Sequence, residues 1–227
     1  RLEKYTVSFG LQWLRERERS TFSYITNDTF FDQTETLELK IKALNLSFFD
    51  KWTMSAESAL KTATARFGGR KYSNSNLSRT GATTNFMKWN GSIKMNRGLP
   101  FNLQLRNHLN FQKLITDNGV INAEQIGITG SGQLSGFVSG HMAGDEGYFI
   151  RSEIGRFFYP FYNNEAEIEK DDTIRIQPYL HAAYGATFFK QPASGEHSRL
   201  EASNGGIGIK VRIPNFLLLS DYLDINL

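Results

Sequence analysis

Residues 101–112 read Phe101-Asn102-Leu103-Gln104-Leu105-Arg106-Asn107-His108-Leu109-Asn110-Phe111-Gln112. Apolar and polar residues alternate along this stretch, with one exception at Asn107. Because successive side chains of a β-strand point to opposite faces of its sheet, the pattern predicts a strand with one apolar and one polar face. The predicted polar face carries Asn102, Gln104, Arg106, His108, Asn110 and Gln112.

The same alternation recurs along most of the chain. Tyr5-Thr6-Val7-Ser8-Phe9-Gly10-Leu11-Gln12-Trp13 has a large apolar residue at every odd position. Together with the two quoted stretches, the segments with this period predict about ten strands and no helix. These segments are 34–48, 51–66, 83–97, 122–130, 148–160, 173–189, 201–213 and 216–227.

The lengths of these strands and of their connections point to a membrane. Strands of globular proteins typically have about 5–6 residues, whereas a tilted strand that crosses a bilayer needs about 9–11; most of the segments above are at least that long. Short connections at 49–51 and 98–100 alternate with long polar ones at 17–33, 68–82, 163–172 and 190–198, which is typical of an outer-membrane barrel. Aromatic residues lie at strand ends, where membrane interfaces favour them: Trp13, Phe48, Phe49, Trp52, Phe67, Phe157, Phe158, Tyr159, Phe161, Tyr162, Phe188 and Phe189.

The predicted fold class is therefore all-β, a transmembrane antiparallel β-barrel. A chain of 227 residues with 40% hydrophobic residues is large enough to form a core. The alternative is a soluble β-sandwich or a lipocalin-like barrel, whose strands also alternate. The number of long strands discriminates between the two, because a soluble sheet rarely needs so many in succession.

Composition argues against several classes of function. A formal net charge of only +3 does not support nucleic-acid binding. The absence of cysteine excludes disulfides and thiolate zinc sites, and four scattered histidines leave little for another metal. No Gly-x-Ser-x-Gly elbow and no phosphate-binding Gly-x-x-x-x-Gly-Lys pattern occurs. We predict no catalytic residue, no metal, no cofactor and no small-molecule substrate.

Glycine is concentrated in one run. Residues 127–147 contain seven glycines in 21 positions. So many glycines indicate positive φ angles or closely approaching backbone, as in a hairpin folded back into a confined space. A flexible, exposed loop is the alternative.

The order of motifs around this run resembles the ShlB/FhaC/HecB haemolysin secretion/activation family, the two-partner secretion transporters. The similarity is specific over about residues 122–213. Val138-Ser139-Gly140-His141 resembles the family's Val-Arg-Gly-aromatic loop tip. Gly144, Asp145, Gly147, Arg151 and Glu153 resemble the Gly-Asp-x-Gly-x-x-x-Arg-x-Glu motif of the strand that follows. Segments around Gln177, Ala183-Tyr184-Gly185 and residues 202–210 resemble the next two strands.

The resemblance implies a barrel of about 16 strands preceded by periplasmic POTRA domains. Residues 1–227 would then form a single partial barrel domain, with 131–147 as a lumen loop and with the POTRA domains outside it. It implies the bacterial outer membrane as the location, and outer-membrane lipid and a large secreted protein, exported unfolded, as partners. The implied lumen wall includes Gln104, Arg106, His108, Gln177, Ala183 and Gly185. A barrel-assembly insertase of the same superfamily and a passive diffusion porin remain alternatives.

Two positions depart from the family's pattern. Ser139 stands where the family has arginine at the loop tip, and Ala183 stands where it has the aspartate that pairs with this arginine. Loss of one partner would leave an unpaired charge inside the barrel, whereas loss of both removes it. We expect Ser139 to approach Ala183 across the lumen. Either a hydrogen bond from His141 or water around Ser139 would then hold the loop.

Alternation also predicts which side chains face lipid and which face the lumen. Arg151 and Glu153 lie two residues apart and therefore share a face, where they either pair with each other or the loop, or simply line a wet wall. The residues predicted to face lipid are Val7, Phe9, Leu11, Leu103, Leu105, Leu109, Ile207, Ile209 and Val211. Those predicted to face the lumen include Gln12, Gln104, Arg106, His108 and Lys210.

Overall fold

The computed structural model describes residues 6–22, 28–48, 52–63, 77, 79, 82–160, 174–192, 195, 197–212 and 223–226. The strands, in chain order, are β1 (Thr6–Phe22), β2 (Asp28–Phe48), β3 (Trp52–Ala63), β4 (Ala82–Thr83), β5 (Phe86–Leu99), β6 (Leu103–Leu114), β7 (Gly119–Val120), β8 (Ile126–Gly127), β9 (Ala143–Gly144), β10 (Glu146–Arg156), β11 (Arg175–Phe188), β12 (Arg199–Arg212) and β13 (Leu223–Asn226).

Nine strands form one antiparallel sheet in the order β1-β2-β3-β5-β6-β10-β11-β12-β13. Consecutive long strands are neighbours throughout, so the sheet is a meander, and the predicted all-β antiparallel fold is confirmed. The two-residue strands pair only with each other, β4 with β7 and β8 with β9.

No helix long and apolar enough to cross a membrane occurs among the described residues.

The register separates the sheet into an apolar face and a polar face, because directly paired residues point the same way. Leu109 of β6 pairs with Ile93 of β5 and Ile150 of β10. The next residue, His108, pairs with Lys94 and Arg151 on the opposite side. Phe9, Leu11 and Ile207 on the apolar face are 74%, 71% and 55% exposed. The predicted alternation of the apolar and polar residues is confirmed for these strands.

Asn107, the exception in the alternating stretch, lies on the apolar face opposite Ser152. Ser152 Oγ donates a hydrogen bond to Asn107 Oδ1 over 2.8 Å. On the same face, Trp89 Nε1 donates to Ser58 Oγ over 2.8 Å. These cross-strand pairs satisfy polar groups that would otherwise meet hydrocarbon unpaired.

The hairpin between β5 and β6 turns later than the Gly-Leu-Pro sequence predicts. Phe101 and Asn102 are its central residues, with φ of 62° and 56°, and Leu103 N donates to Pro100 O over 3.4 Å. A two-residue hairpin loop with both central φ angles positive matches the right-handed strand twist. Strand β6 therefore starts at Leu103, and Asn102 belongs to the turn and not to the polar face.

Connections leave the sheet at two ends, which we call the turn end and the loop end. The turn end carries the connections β2–β3, β5–β6, β10–β11 and β12–β13, and the loop end carries the others. The predicted long loop 163–172 lies outside the described residues. The ends of β10 and β11 that flank it are at the turn end, whereas the sequence pattern predicts short turns at one end and long loops at the other. Most of the predicted loop 17–33 is strand, since β1 continues to Phe22 and β2 starts at Asp28.

The predicted strand 122–130 is wrong. Asn122–Glu124 form a 3-10 turn and only Ile126–Gly127 pair as strand. Ile126 and Ile128 do alternate, but they are buried in a loop against the sheet. The alternation at these two positions therefore reflects two buried side chains and not a strand that is paired by a ladder of backbone hydrogen bonds.

Charged substitutions on the apolar face should cost stability according to depth. We expect Leu109→Arg, in the middle of β6, to lower the free energy of unfolding by about 2–4 kcal/mol, whereas Leu105→Arg should cost only about 0–1 kcal/mol. Leu105 pairs with Arg97 close to the turn end, where water is near. Denaturant unfolding of the full-length protein in lipid measures both values.

The matched control is Ser92→Arg, which lies at the depth of Leu109 but on the polar face and beside Glu57. It should change stability much less than Leu109→Arg. Equal costs for these two variants would mean that the two faces are assigned the wrong way round.

Candidate functional site

The connection between β6 and β10, residues 115–145, folds back onto the polar face. Ile128, Leu134 and Met142 of this loop are buried. They form one apolar cluster with Phe149 of β10 and Ala183 of β11. Phe149 is fully buried although it lies on the polar face, because the loop covers it.

Glycine allows the loop to turn tightly. Gly130 has a φ of 119°, a backbone conformation that residues with a side chain rarely adopt. A Cβ at position 130 would also lie 2.9 Å from Ser139 Oγ. Further turns are closed by Gln133 N donating to Gly130 O and by His141 N donating to Val138 O, each over 3.1 Å.

One group of hydrogen bonds joins the loop to the sheet, and we call it the loop dock. Its loop members are Gln133 and Ser135, and its sheet members are Arg151, His181 and Asn204. Arg151 Nη1 donates to Gln133 O over 2.9 Å and to Ser135 Oγ over 3.0 Å. Ser135 Oγ lies 3.1 Å from His181 Nε2.

Asn204 of β12 belongs to the same group of contacts. Asn204 Nδ2 lies 3.4 Å from Ser135 Oγ and 3.2 Å from His181 Nε2. Ser135 Oγ therefore has three side-chain neighbours, Arg151, His181 and Asn204, one from each of β10, β11 and β12.

The charge of Arg151 is balanced within the sheet. Its Nε donates to Glu153 Oε1 over 2.7 Å, and Lys210 Nζ donates to Glu153 Oε2 over 2.6 Å. The sequence left open pairing with Glu153, pairing with the loop, and a charged wall that is merely wet; Arg151 makes both pairings.

A buried ion pair fixes the base of the loop. Arg79 Nη1 donates to both oxygens of Asp145, over 2.7 and 2.9 Å, and Asp145 is fully buried. Asp145 also accepts from the backbone N–H groups of Val120 and Lys190, each over 2.9 Å. Arg79 Nη2 donates to Gln191 O over 3.0 Å. The pair joins three connections of the loop end.

A second buried cluster surrounds Glu124. Lys61 Nζ lies 2.7 Å and Lys88 Nζ 2.9 Å from its carboxylate oxygens. Lys88 Nζ and Gln112 Nε2 also donate to the backbone oxygen of Glu124, over 2.7 and 2.9 Å. Gln112 Nε2 reaches Asp145 O over 2.9 Å as well. Polar side chains of β3, β5 and β6 thus hold the start of the loop.

The predicted wall residues all lie on the polar face. Arg106 Nε donates to Gln104 Oε1 over 3.0 Å, and His108 Nε2 lies 3.3 Å from Ser92 Oγ. Gln177 is buried. At Gly185 a Cβ would meet Tyr148 O at 2.9 Å, so this strand packs closely on β10.

The predicted loop tip, Val138 to His141, is exposed. Ser139 lies against Gly130, whereas Ala183 belongs to the apolar cluster. The expected approach of Ser139 to Ala183 stays a prediction. The following motif is tightly packed, since a Cβ at Gly144 would lie 2.8 Å from Thr187 Cβ and one at Gly147 2.8 Å from Ala186 O.

Sequence reasoning missed several residues of these clusters, among them Arg79, Glu124, Ser135, His181 and Asn204. His181 could have been predicted to lie on the polar face, because it lies an even number of positions from Gln177 and Ala183. Arg79 and Asp145 are 66 positions apart, and no local pattern joins them. In the described part of the chain, no group of three or more His, Asp or Glu side chains is placed to hold a metal ion.

A meander of long antiparallel strands with one apolar face, one polar face and a loop folded onto the polar face defines a membrane β-barrel class of protein. The family described as haemolysin secretion/activation protein ShlB/FhaC/HecB matches residues 2–212, and the chain belongs to this family. Its members are outer-membrane transporters of Gram-negative bacteria, which confirms the predicted location.

Among solved structures, CdiB from Escherichia coli has a similar fold, with a TM-score of 0.62 and 12% sequence identity. The alignment covers 86% of this chain and 36% of the CdiB chain, so this chain spans about a third of that protein's length. A sequence comparison with curated proteins gave no significant match.

Asp145→Asn tests the buried ion pair. The variant removes the charge of the carboxylate that binds the buried Arg79 guanidinium at 2.7 and 2.9 Å, so we expect the free energy of unfolding to fall by about 3–5 kcal/mol. Denaturant unfolding measures this loss. Limited proteolysis should show cleavage at the loop end before the sheet unfolds.

Lys113→Gln is the control, because Lys113 is 60% exposed in its 2.7 Å ion pair with Glu146. Removal of such an exposed pair should cost about 0–1 kcal/mol. A loss for Asp145→Asn as small as that of the control would contradict a structural role of the buried pair.

Proposed function

We propose that the protein is the membrane pore of a two-partner secretion transporter, which exports a large partner protein in unfolded form. In the complete protein, further strands pair with β1 and β13, the barrel closes, and the polar face lines the lumen. Residues 1–227 are then a single partial barrel domain, and residues 131–147 are its lumen loop. Transport needs no cofactor and no catalytic residue.

The observation that carries this proposal is the loop lying on the polar face. The cluster of Ile128, Leu134 and Met142 and the loop dock hold it there. In a closed barrel the same volume is the path of an extended chain, so the loop acts as a plug. Net stabilisation by one hydrogen bond is about 0.5–1.5 kcal/mol, so an entering chain can replace the dock's contacts a few at a time.

The wall beside the loop suits an unfolded chain. A cavity of about 190 Å³ lies between the loop and the sheet, lined by Lys94, Arg106, His108 and the loop residue Gly132. Its side chains offer donors and acceptors without an enclosing apolar pocket. Such contacts are exchangeable and independent of passenger sequence, as transport of a long polypeptide requires.

A disulfide can test whether the loop must leave. A Cβ at Gly136 would lie 3.4 Å from Asn204 Cβ, close to the 3.5–4.5 Å of disulfides, and the chain has no other cysteine. We expect Gly136→Cys combined with Asn204→Cys to secrete the partner when reduced. Oxidation should stop secretion, because the plug is then covalently fixed to β12.

The measurement is the amount of partner protein in the medium of cells that express the full-length transporter, with and without reductant. Each single cysteine variant controls for the loss of Gly136 or Asn204. The pair Ala182→Cys and Gly205→Cys, directly opposed on the apolar face, controls for a disulfide that leaves the loop free. Unchanged secretion by the oxidised Gly136/Asn204 form would contradict a displaced plug.

The same variant separates the proposal from its two alternatives. If the protein were a passive porin, cells that express it without any partner protein would take up more of a small solute than cells that lack it. An insertase would leave the partner's secretion unchanged and impair the assembly of other outer-membrane proteins. The partner used should be the large secreted protein encoded beside the transporter gene, and its retention in the periplasm when the transporter gene is deleted is the first result expected.

A further inference from the structure

The apolar face carries a groove near the turn end. Its walls come from β6, β10, β11 and β12, and its volume is about 510 Å³. Among the described residues, Arg156 is the one charged residue that lines it. The apolar residues that line the groove include Leu103, Ile154, Pro178, Leu180, Ile207 and Ile209.

Two arginines at the turn end share one arrangement. The Arg156 guanidinium lies 5.2 Å from the centre of the Phe158 ring, and that of Arg97 lies 5.1 Å from the Trp52 ring. Arg156 pairs with Leu103 and Arg97 with Leu105, so both point to the apolar face. Their strands flank β6, which places the two backbones about 10 Å apart across the sheet.

Charge compensation differs between the two ends of this face. At the loop end, Lys113 is paired with Glu146, and Arg199 is paired with Glu201. At the turn end, no carboxylate of the described residues lies within ion-pair distance of Arg97 or Arg156. Stacking on an aromatic ring leaves the N–H donors at the edge of a guanidinium available to an anion. The turn end thus presents two positive charges beside an apolar groove.

We propose that this groove binds an anionic phospholipid. One acyl chain lies in the groove, and the headgroup phosphate is bound by Arg156, with Arg97 as the second cation. Short turns of outer-membrane barrels face the periplasm, so the lipid belongs to the inner leaflet of the outer membrane. This inference rests on the membrane location and not on the transport activity proposed above.

Selectivity should come from the headgroup. Every lipid supplies apolar chains to this face, and hydrocarbon gains little by exchanging one apolar neighbour for another. The groove therefore sets where the chain lies, whereas the arginines decide which lipid stays. An arginine at a membrane surface enriches anionic lipid by about fivefold, so two should give a clear preference.

Native mass spectrometry of the full-length protein tests this preference. The protein is released from vesicles that contain equal amounts of phosphatidylglycerol and phosphatidylcholine, and the lipids that remain bound are counted. We expect phosphatidylglycerol to exceed phosphatidylcholine by at least fivefold. Arg97→Gln combined with Arg156→Gln should bring the ratio close to one. Equal retention of both lipids by the unchanged protein would overturn the proposal.

Two further variants separate a built site from general surface charge. Arg199→Gln removes a cation of the same face at the loop end and should leave the ratio unchanged; a loss equal to that of the double variant would refute a site at the turn end. Ile207→Trp fills the groove and keeps both arginines; because the acyl chain then no longer fits beside the headgroup bound by Arg156, we expect the retained phosphatidylglycerol to fall several-fold. Full retention by Ile207→Trp would refute binding in the groove. Circular dichroism confirms that each variant keeps its sheet.

Discussion

Backbone hydrogen bonding is the constraint on which the architecture depends. Inside hydrocarbon every N–H and C=O of a strand needs a partner from another strand, and the nine-stranded ladder supplies it. Pro178 shows how strictly this holds, because it stands in β11 between two neighbours and has no N–H. The ladder of β10 with β11 stops at the pair Gly155 and Tyr179, and contact resumes at Phe158 and Ile176. Pro178 lies in this gap, where a donor toward β10 is not needed.

The pairing of the strands fixes which side chains lie on each face of the sheet. The two faces in turn determine where charged side chains can lie. Lipid excludes ions from one side, so the ionisable side chains in the middle of the strands collect on the other. Lys88, Arg151 and Lys210 are each matched there by Glu124 or Glu153. Glu124 comes from the loop, not from a strand, so balancing the cations of β3 and β5 also brings the loop onto the sheet. At this position, the contact that compensates the charge of the two lysines is also a contact that holds the loop on the sheet.

The strands could be predicted because each one is encoded by a pattern of neighbouring residues. The docking of the loop could not be predicted, because it depends on residues far apart in the sequence. A period of two over a dozen residues, as in 103–114, predicts a strand without knowledge of its neighbours. Ile126 and Ile128 show the limit, since alternation records burial on one side and not the presence of a ladder. Arg79 offers no local signal, because its significance depends on the backbone of two other connections. Asp145 was found only through the motif around it, and its burial against Arg79 was not foreseen.

On the function proposed above, the way in which charge is divided at the loop dock would allow a plug to be held and still leave. The guanidinium that binds the loop belongs to the sheet, and Glu153 neutralises it whether or not the loop is present. At the loop dock, the loop contributes only neutral groups, the carbonyl of Gln133 and the hydroxyl of Ser135. In the proposed displacement of the loop, water or a passing polypeptide would replace these two acceptors, and Arg151 would keep Glu153 as its counter-ion. A charged loop tip would have to break an ion pair at this step, at a cost of several kcal/mol. Serine at position 139 is consistent with this arrangement, in which the cation of the loop dock stays on the wall and the part of the loop that contacts it is uncharged.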